Sequence, residues 1–414
     1  MNLMEDSIIV GIDVGTTKIC TLVARLEGEG TLRILGAGIE PSQGMRKGAT
    51  VDLRVAAQAI ARSIDKAERT SGLEITSALV SLAGSHVSSV NSRGVVGVTG
   101  RVIDENDVVR AMDAARAVAI PHNRDVIHVI QRGFTVDGQA GIRMPLGMHG
   151  YRLEVETHII TASASTVENL RNSVSKAGAE VSQFVLNPLA SAEVVLSDTE
   201  REMGVIVCDM GGGTTDLAIY IEGDVWHTMV LGVGGDHITS DIAHGLRLPI
   251  PQAEEIKKQH GHALQVEVDQ GEDFNVRPFG EEQPVNISRR DLAMIIEARV
   301  EEIFGMVLQE IKRSGYDGLL PAGMVLTGGC SALPGIRKLA SRVLGIPVRI
   351  AQPENLIGMT DRLHSPAFST SVGLLHWAVL MTEVSSVVPY HYSNIKGGSL
   401  DWENVKNWLR RLLP

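Results

Sequence analysis

Residues 7–24, SIIVGIDVGTTKICTLVA, run a β-branched strand into Asp13, a Gly/Thr turn and a second apolar strand. Residues 204–221, GVIVCDMGGGTTDLAIYI, repeat the plan: strand, Asp209, a glycine-rich turn with paired threonines, strand. Apolar runs joined by so short a turn read as β-hairpins. Two copies of one device, one early and one midway along the chain, predict a body built from two related halves. A third run, GMVLTGGCSALPGI (323–336), stops a strand on another Gly-Gly turn. Neither hairpin is a G-x-x-x-x-G-K-[ST] turn opening a helix, which excludes a P-loop.

The turn chemistry points to a polyphosphate. Glycine lets the backbone approach an anion, and successive N–H groups in a tight turn form a concave donor nest. Gly15 and Gly211, Gly212 and Gly213 supply that backbone, while Thr16, Thr17, Thr214 and Thr215 add hydroxyls and Lys18 a point charge. Asp13 and Asp209 would repel phosphate on their own. They make sense as the holders of a hydrated Mg²⁺ between the hairpins, since magnesium keeps waters and takes few carboxylates.

The remaining chain sets the context. With 414 residues, 44% hydrophobic and 21% charged, it has ample material for a buried core. A formal net charge of −11 argues against nucleic acid as a partner of the body. Cys20, Cys208 and Cys330 are far apart and read as reduced thiols without zinc spacing. The opening MNLMEDSIIVGIDVG places acidic residues before its apolar run, unlike a signal peptide. The most apolar stretch, SVGLLHWAVLM (371–381), contains a histidine and is about half the ~20 residues a membrane span requires, so a buried helix is expected.

Two insertions are expected. Residues 84–162 read as strand, helix, strand, loop and strand, an α+β unit in which Asp104 caps the helix and Glu105 and Asp107 fill its first turn. Residues 241–305 read as largely helical, with an acidic loop near VEVDQGEDF (266–274); HGH at 260–262 lacks further metal ligands. From 385 to 399, SSVVPYHYSNIKGGS reads as a linker.

The last stretch, SLDWENVKNWLRRLLP (399–414), segregates cleanly at helical spacing. At about 100° per residue, Trp402, Val405, Trp408, Leu409, Leu412 and Leu413 share one arc of about 140°. Lys406, Arg410 and Arg411 lie opposite, and Asp401 fits the cap position. Twelve residues make ~18 Å of helix, too short to span a bilayer. The pattern suits a helix lying in the headgroup plane of an anionic membrane; docking on its own body or in a partner groove is the alternative. One such helix carries little net charge, so stable attachment would require several copies on one assembly.

DVGTTK, CDMGGGTTD and LTGGCSALPG resemble the two phosphate motifs and the adenosine motif of the actin-like ATPases. The resemblance implies an α/β two-domain fold closing over ATP, with Gly328, Gly329 and Ala332 against the adenosine. AEEIKK resembles the E-x-x-K helix of that superfamily, which implies Glu254 and Lys257 near ribose and base. LNPLASAEVV resembles the helix joining the two domains, where many ATPase relatives orient the attacking water with Glu or Gln. Asn187 stands there instead, either at the water-orienting position or simply capping the helix; a carboxamide is no general base. ATP binding with slow or negligible turnover is expected.

Over nearly its whole length, through GSHVSS and through GVGGDHITSDIA with Gly234 and Gly235, the chain resembles the FtsA family of bacterial cell-division proteins. The resemblance implies a first core domain from 1–83, 163–195 and 360–384, carrying an SHS2-like insertion at 84–162. It implies a second core domain from 196–240 and 306–359 carrying 241–305, then a linker at 385–399 and a membrane-targeting amphipathic helix at 400–414. It further implies self-polymerisation on the inner face of the cell membrane at the septum. The family's FtsZ partner would dock its C-terminal tail at Arg299 and Glu302, and later division proteins would follow. A pilus-assembly adaptor, which shares the inserted unit, and an actin-fold ATPase or kinase with a soluble substrate are the competing readings.

Overall fold

The computed structural model describes residues 7–28 and 31–387. Its two central sheets are built alike. In the first, Ile8–Val14, Lys18–Leu26 and Leu32–Pro41 form an antiparallel meander, and Ser77–Leu82 and Glu180–Leu186 then add in parallel beside the first strand. In the second, Val205–Met210, Thr215–Ile221 and Asp224–Leu231 form the meander, and Met324–Thr327 and Val348–Ile350 add in parallel. The inner strands Lys18–Leu26, Ser77–Leu82, Val205–Met210 and Thr215–Ile221 are buried on both faces and lack alternation, whereas Leu32–Pro41 alternates between buried and partly exposed residues. Every residue of Val205–Met210 is buried.

The two halves are joined by two helices, Asn187–Val195 and Ser369–Val387. They cross so closely that a side chain on Gly373 would overlap the Ala190 carbonyl. Leu374 and Leu375 of the second helix are fully buried, as the apolar 371–381 stretch predicts. This helix runs to Val387, past the start expected for the linker at 385. The chain also returns to the first sheet earlier than expected: Ile357–Gly358 already pairs with Leu32–Pro41, ahead of the boundary placed at 360. The amphipathic segment at 400–414 lies outside the described residues. Among the described residues, no helix is long and apolar enough to cross a membrane.

The first insertion is a four-stranded sheet ordered Ser88–Gly97, Arg152–Ser163, Arg124–Val136, Gln139–Ile142, with the helix Glu105–Arg116 on one face. Asp104 caps that helix and Asp107 returns the bond to complete a capping box. Ile103, Met112, Phe134 and Leu153 give the unit its own core.

Two buried histidines seat this unit on the two halves. His128 Nε2 accepts the Leu186 N–H at 3.1 Å on the first half. His158 meets Thr228 Oγ1 through Nε2 at 2.9 Å on the second half, and Asn91 Oδ1 through Nδ1 at 2.6 Å. Burial pushes both imidazoles down, His128 to about 4 and His158 to about 3, so both are neutral near pH 7.

The second insertion centres on the helix Arg289–Ser314, whose buried Leu292, Ile296, Val300, Ile303 and Val307 follow helical spacing.

Candidate nucleotide site

Both hairpins close with the same bond. The Gly15 N–H donates to the Lys18 carbonyl at 3.0 Å, and the Gly211 N–H to the Thr214 carbonyl at 2.9 Å. Asp13 pairs with Cys20 across the first hairpin, and Asp209 with Asp216 across the second. The turns therefore superpose Lys18 on Thr214 and Thr16 and Thr17 on Gly212 and Gly213. The paired threonines, which suggest the match in sequence, do not occupy equivalent places.

The turns meet face to face across a cavity of about 400 Å³. A Cβ on Gly213 would stand 2.5 Å from Thr16 Oγ1, and one on Gly212 would overlap Thr17 Oγ1. Glycine here is thus a requirement of close approach.

Most of the expected residues line this one cavity. They are Asp13, Gly15, Thr16, Thr17 and Lys18; Asp209, Gly211, Gly212, Gly213 and Thr214; Gly235, Glu254 and Lys257; and Gly328, Gly329 and Ala332. Thr215 and Gly234 are exceptions. Thr215 is the first residue of its strand, fully buried, and its hydroxyl donates to the Val233 carbonyl at 2.9 Å. Gly234 is the cap residue of the helix Gly235–Leu246 and lies against the backbone of Gly211 and Gly212. That helix is pinned to the second turn, with the Gly235 and Asp236 N–H groups donating to the Gly211 and Gly212 carbonyls at 3.0 and 2.8 Å.

Lys18 sits between charge and ring. Its Nζ is 3.1 Å from Asp13 Oδ2 and 4.7 Å from the Phe368 ring centre. Burial depresses the amine, but Asp13 together with Cys20 and Asp209 outweighs it and the pKa is raised. Asp209 is raised by burial against hydrogen bonds from Ser191 (2.5 Å) and Thr370 (2.7 Å), both to Oδ2. Asp216 is raised well above the usual carboxylate range by burial and by Asp209, and its Oδ1 has no hydrogen-bond partner.

At the far end, Glu254 bridges Lys257 (2.6 Å) and Lys258 (3.1 Å), and Lys257 Nζ also donates to Thr239 Oγ1 at 2.8 Å. Burial works to raise Glu254, yet the lysines hold it low. The Cys330 thiol donates to the Gly211 carbonyl at 3.2 Å, and burial pushes it up to about 11.

Asn187 lines the cavity, and its Oδ1 is buried without a partner. The residue in the cap position of that helix is Leu186, so Asn187 is not the cap. A buried carboxamide oxygen without a partner beside the cavity is an acceptor left unmatched within the protein.

Among the described residues no group of three or more His, Cys, Asp or Glu could hold a metal ion. Two buried carboxylates, Asp13 and Asp209, lining the same cavity still fit magnesium, which would take its other ligands from water and phosphate.

The sequence reading missed Asp216, Asp236 and Thr370. Asp216 had a signal, since it stands just two residues beyond the turn residue Thr214, whose hydroxyl donates to it at 2.9 Å. The expected docking pair sits on the helix Arg289–Ser314: Arg299 is held by Asp241 at 2.5 and 3.0 Å and by Glu302 at 2.6 Å.

Residues 206–373 match the family model described as cell division protein FtsA, and residues 84–161 match the SHS2 domain inserted in FtsA. The FtsA of Pseudomonas aeruginosa is 40% identical over 99% of both chains. The chain belongs to the FtsA family of cell division proteins. The FtsA of Borreliella burgdorferi is 42% identical over 90% of this chain and 91% of its own. Solved structures share the fold at lower identity. A PilM-PilN type IV pilus biogenesis complex matches with TM-score 0.62 at 16% identity, over 90% of this chain and 98% of that one. MreB 5 of Spiroplasma citri bound to AMPPNP matches with TM-score 0.57 at 16% identity, over 92% and 98%. The actin-like architecture and the SHS2 insertion expected for FtsA are thus both present.

Proposed function

We propose that this chain binds Mg-ATP between its halves, polymerises on the cytoplasmic face of the cell membrane, and tethers FtsZ filaments there at the septum. The observation that carries the nucleotide reading is the pair of turns meeting across one cavity, with Lys18, Asp13 and Asp209 at the same end. The turn N–H groups and Lys18 bind and orient the phosphates, and the helix at Gly235–Leu246 stiffens the second turn. Magnesium, held through Asp13 and Asp209, would neutralise phosphate charge. Glu254 and Lys257 face the ribose end, with Gly328, Gly329 and Ala332 against the base.

Asn187 orients a water without taking its proton, which supports slow turnover and a nucleotide that acts on conformation and assembly. Membrane attachment rests on the residue pattern of 402–413, and assembly supplies the multivalency that a single weak helix lacks. Docking of the FtsZ tail at Arg299 and Glu302 would require that tail to compete with Asp241 for the guanidinium, and recruitment of later division proteins would follow through the inserted unit.

Co-sedimentation with anionic vesicles tests the tether, comparing the full chain with a truncation after Ser399, each with and without Mg-ATP. Vesicle pelleting by the full chain alone, enhanced by Mg-ATP, is expected. Equal behaviour of the two would overturn the membrane reading and favour the pilus-adaptor type of function.

A further inference from the structure

We propose that Thr370 and Ser371 are positioning residues that hold the two carboxylates of the nucleotide site at a fixed spacing and so set its response to a divalent cation. The inference rests on the nucleotide reading above. Thr370 and Ser371 are consecutive in the helix that crosses between the halves. The Thr370 hydroxyl donates to Asp209 Oδ2 of the second half at 2.7 Å. The Ser371 hydroxyl donates to Asp13 Oδ2 of the first half, also at 2.7 Å. Both hydroxyl residues and both carboxylates are buried. One short piece of helix therefore grips one carboxylate from each half.

The support around each carboxylate differs. Asp209 Oδ2 receives Ser191 and Thr370, whose hydroxyl oxygens are themselves 2.9 Å apart. Asp13 has more neighbours: Ser81 donates to Oδ1 at 3.0 Å, and Lys18 reaches Oδ2 at 3.1 Å and the Ser371 oxygen at 3.5 Å. Adjacent residues in a helix cannot move independently, because their Cα atoms are about 3.8 Å apart. Rotation of one half against the other must then either carry both carboxylates with the helix or break a buried hydrogen bond. A cation bound between Asp13 and Asp209 needs both in place, and holding them beforehand removes that cost from binding. Losing the Thr370 bond leaves Asp209 with Ser191 alone. Losing the Ser371 bond leaves Asp13 with Ser81 and frees Lys18 to close on it, so the first loss should matter more.

The test is ATP binding by calorimetry with the full chain, across magnesium concentrations from chelator to excess. For Thr370→Val the magnesium needed for half-maximal ATP binding should rise about tenfold, the equivalent of one buried hydrogen bond. For Ser371→Ala a rise of about threefold is expected, and Thr370→Ser should restore the parent value. The proposal is overturned if Thr370→Val keeps the parent's magnesium response, if it loses ATP affinity equally with and without magnesium, or if Thr370→Ser fails to rescue. Should circular dichroism show Thr370→Val unfolded, Ser371→Ala carries the same test. A parent that binds no ATP at any magnesium concentration sinks the nucleotide reading itself, and this inference with it.

Discussion

The two hairpins that face each other across the cavity share strand order, register, closing bond and the glycine that donates it, yet differ at the three turn residues that follow. The first turn carries Thr16, Thr17 and Lys18; the second carries Gly212, Gly213 and Thr214 at the same places. Side-chain groups project from one side and bare backbone receives them on the other. The duplicated architecture thus fixes where the turns stand, and the unequal turn chemistry is what the proposed polyphosphate reading rests on.

The strongest way to break that complementarity is to give the second turn a side chain. Gly213→Val collides with Thr16 and should weaken ATP binding more than about a hundredfold, measurable by calorimetry, since overpacking of a close approach costs about 1–3 kcal/mol before any loss of the donor nest. A milder break removes the cation. Lys18→Ala should weaken ATP binding by about thirtyfold, the value of a charge-assisted bond, whereas Thr214→Val at the equivalent place should cost about fivefold. Equal losses from the two would contradict the asymmetry.

A third test compares the seams of the inserted unit. His128 has its folded pKa depressed to about 4, so between that value and its unfolded pKa of about 6.5 the unfolded chain binds more protons. The stability it contributes is present above about pH 6.5 and lost as pH falls. Urea unfolding at pH 7 and pH 5 should show a loss of about 2 kcal/mol from this residue. His128→Gln can still accept the Leu186 N–H and should remove that part of the pH dependence. The smallest effect separates the neighbouring threonines of the second hairpin. Thr215→Val should lower stability by about 1 kcal/mol through the lost bond to Val233 and leave ATP affinity unchanged; a shifted affinity would return Thr215 to the binding surface.

Much of this was legible in sequence for definite reasons. Buried parallel strands have to be apolar runs, and tight turns that bind anions need glycine, so Asp13, Lys18, Asp209 and Gly328 could be placed by pattern. The equivalence of the turns was misread because two Thr-Thr pairs look alike, whereas register is set by hydrogen bonding and puts the second pair two places further on, with Thr215 already in its strand. Ser191, Thr370 and Ser371 carried no local signal. They lie in apolar helices, and their partners are far away in the chain, so only the crossing of those helices brings them to the carboxylates. His128 was hidden for the same reason, its acceptor role depending on a backbone N–H in a different domain.

The neutral histidines at the two seams have a further consequence for ionic strength. Mobile ions screen charges, and the screening acts over about 8–10 Å in physiological salt. Exposed ion pairs such as Arg143–Glu202 are open to that screening. The His128 and His158 contacts join uncharged, buried groups and offer salt little to act on. The inserted unit should therefore stay seated on both halves in brine and let go in acid.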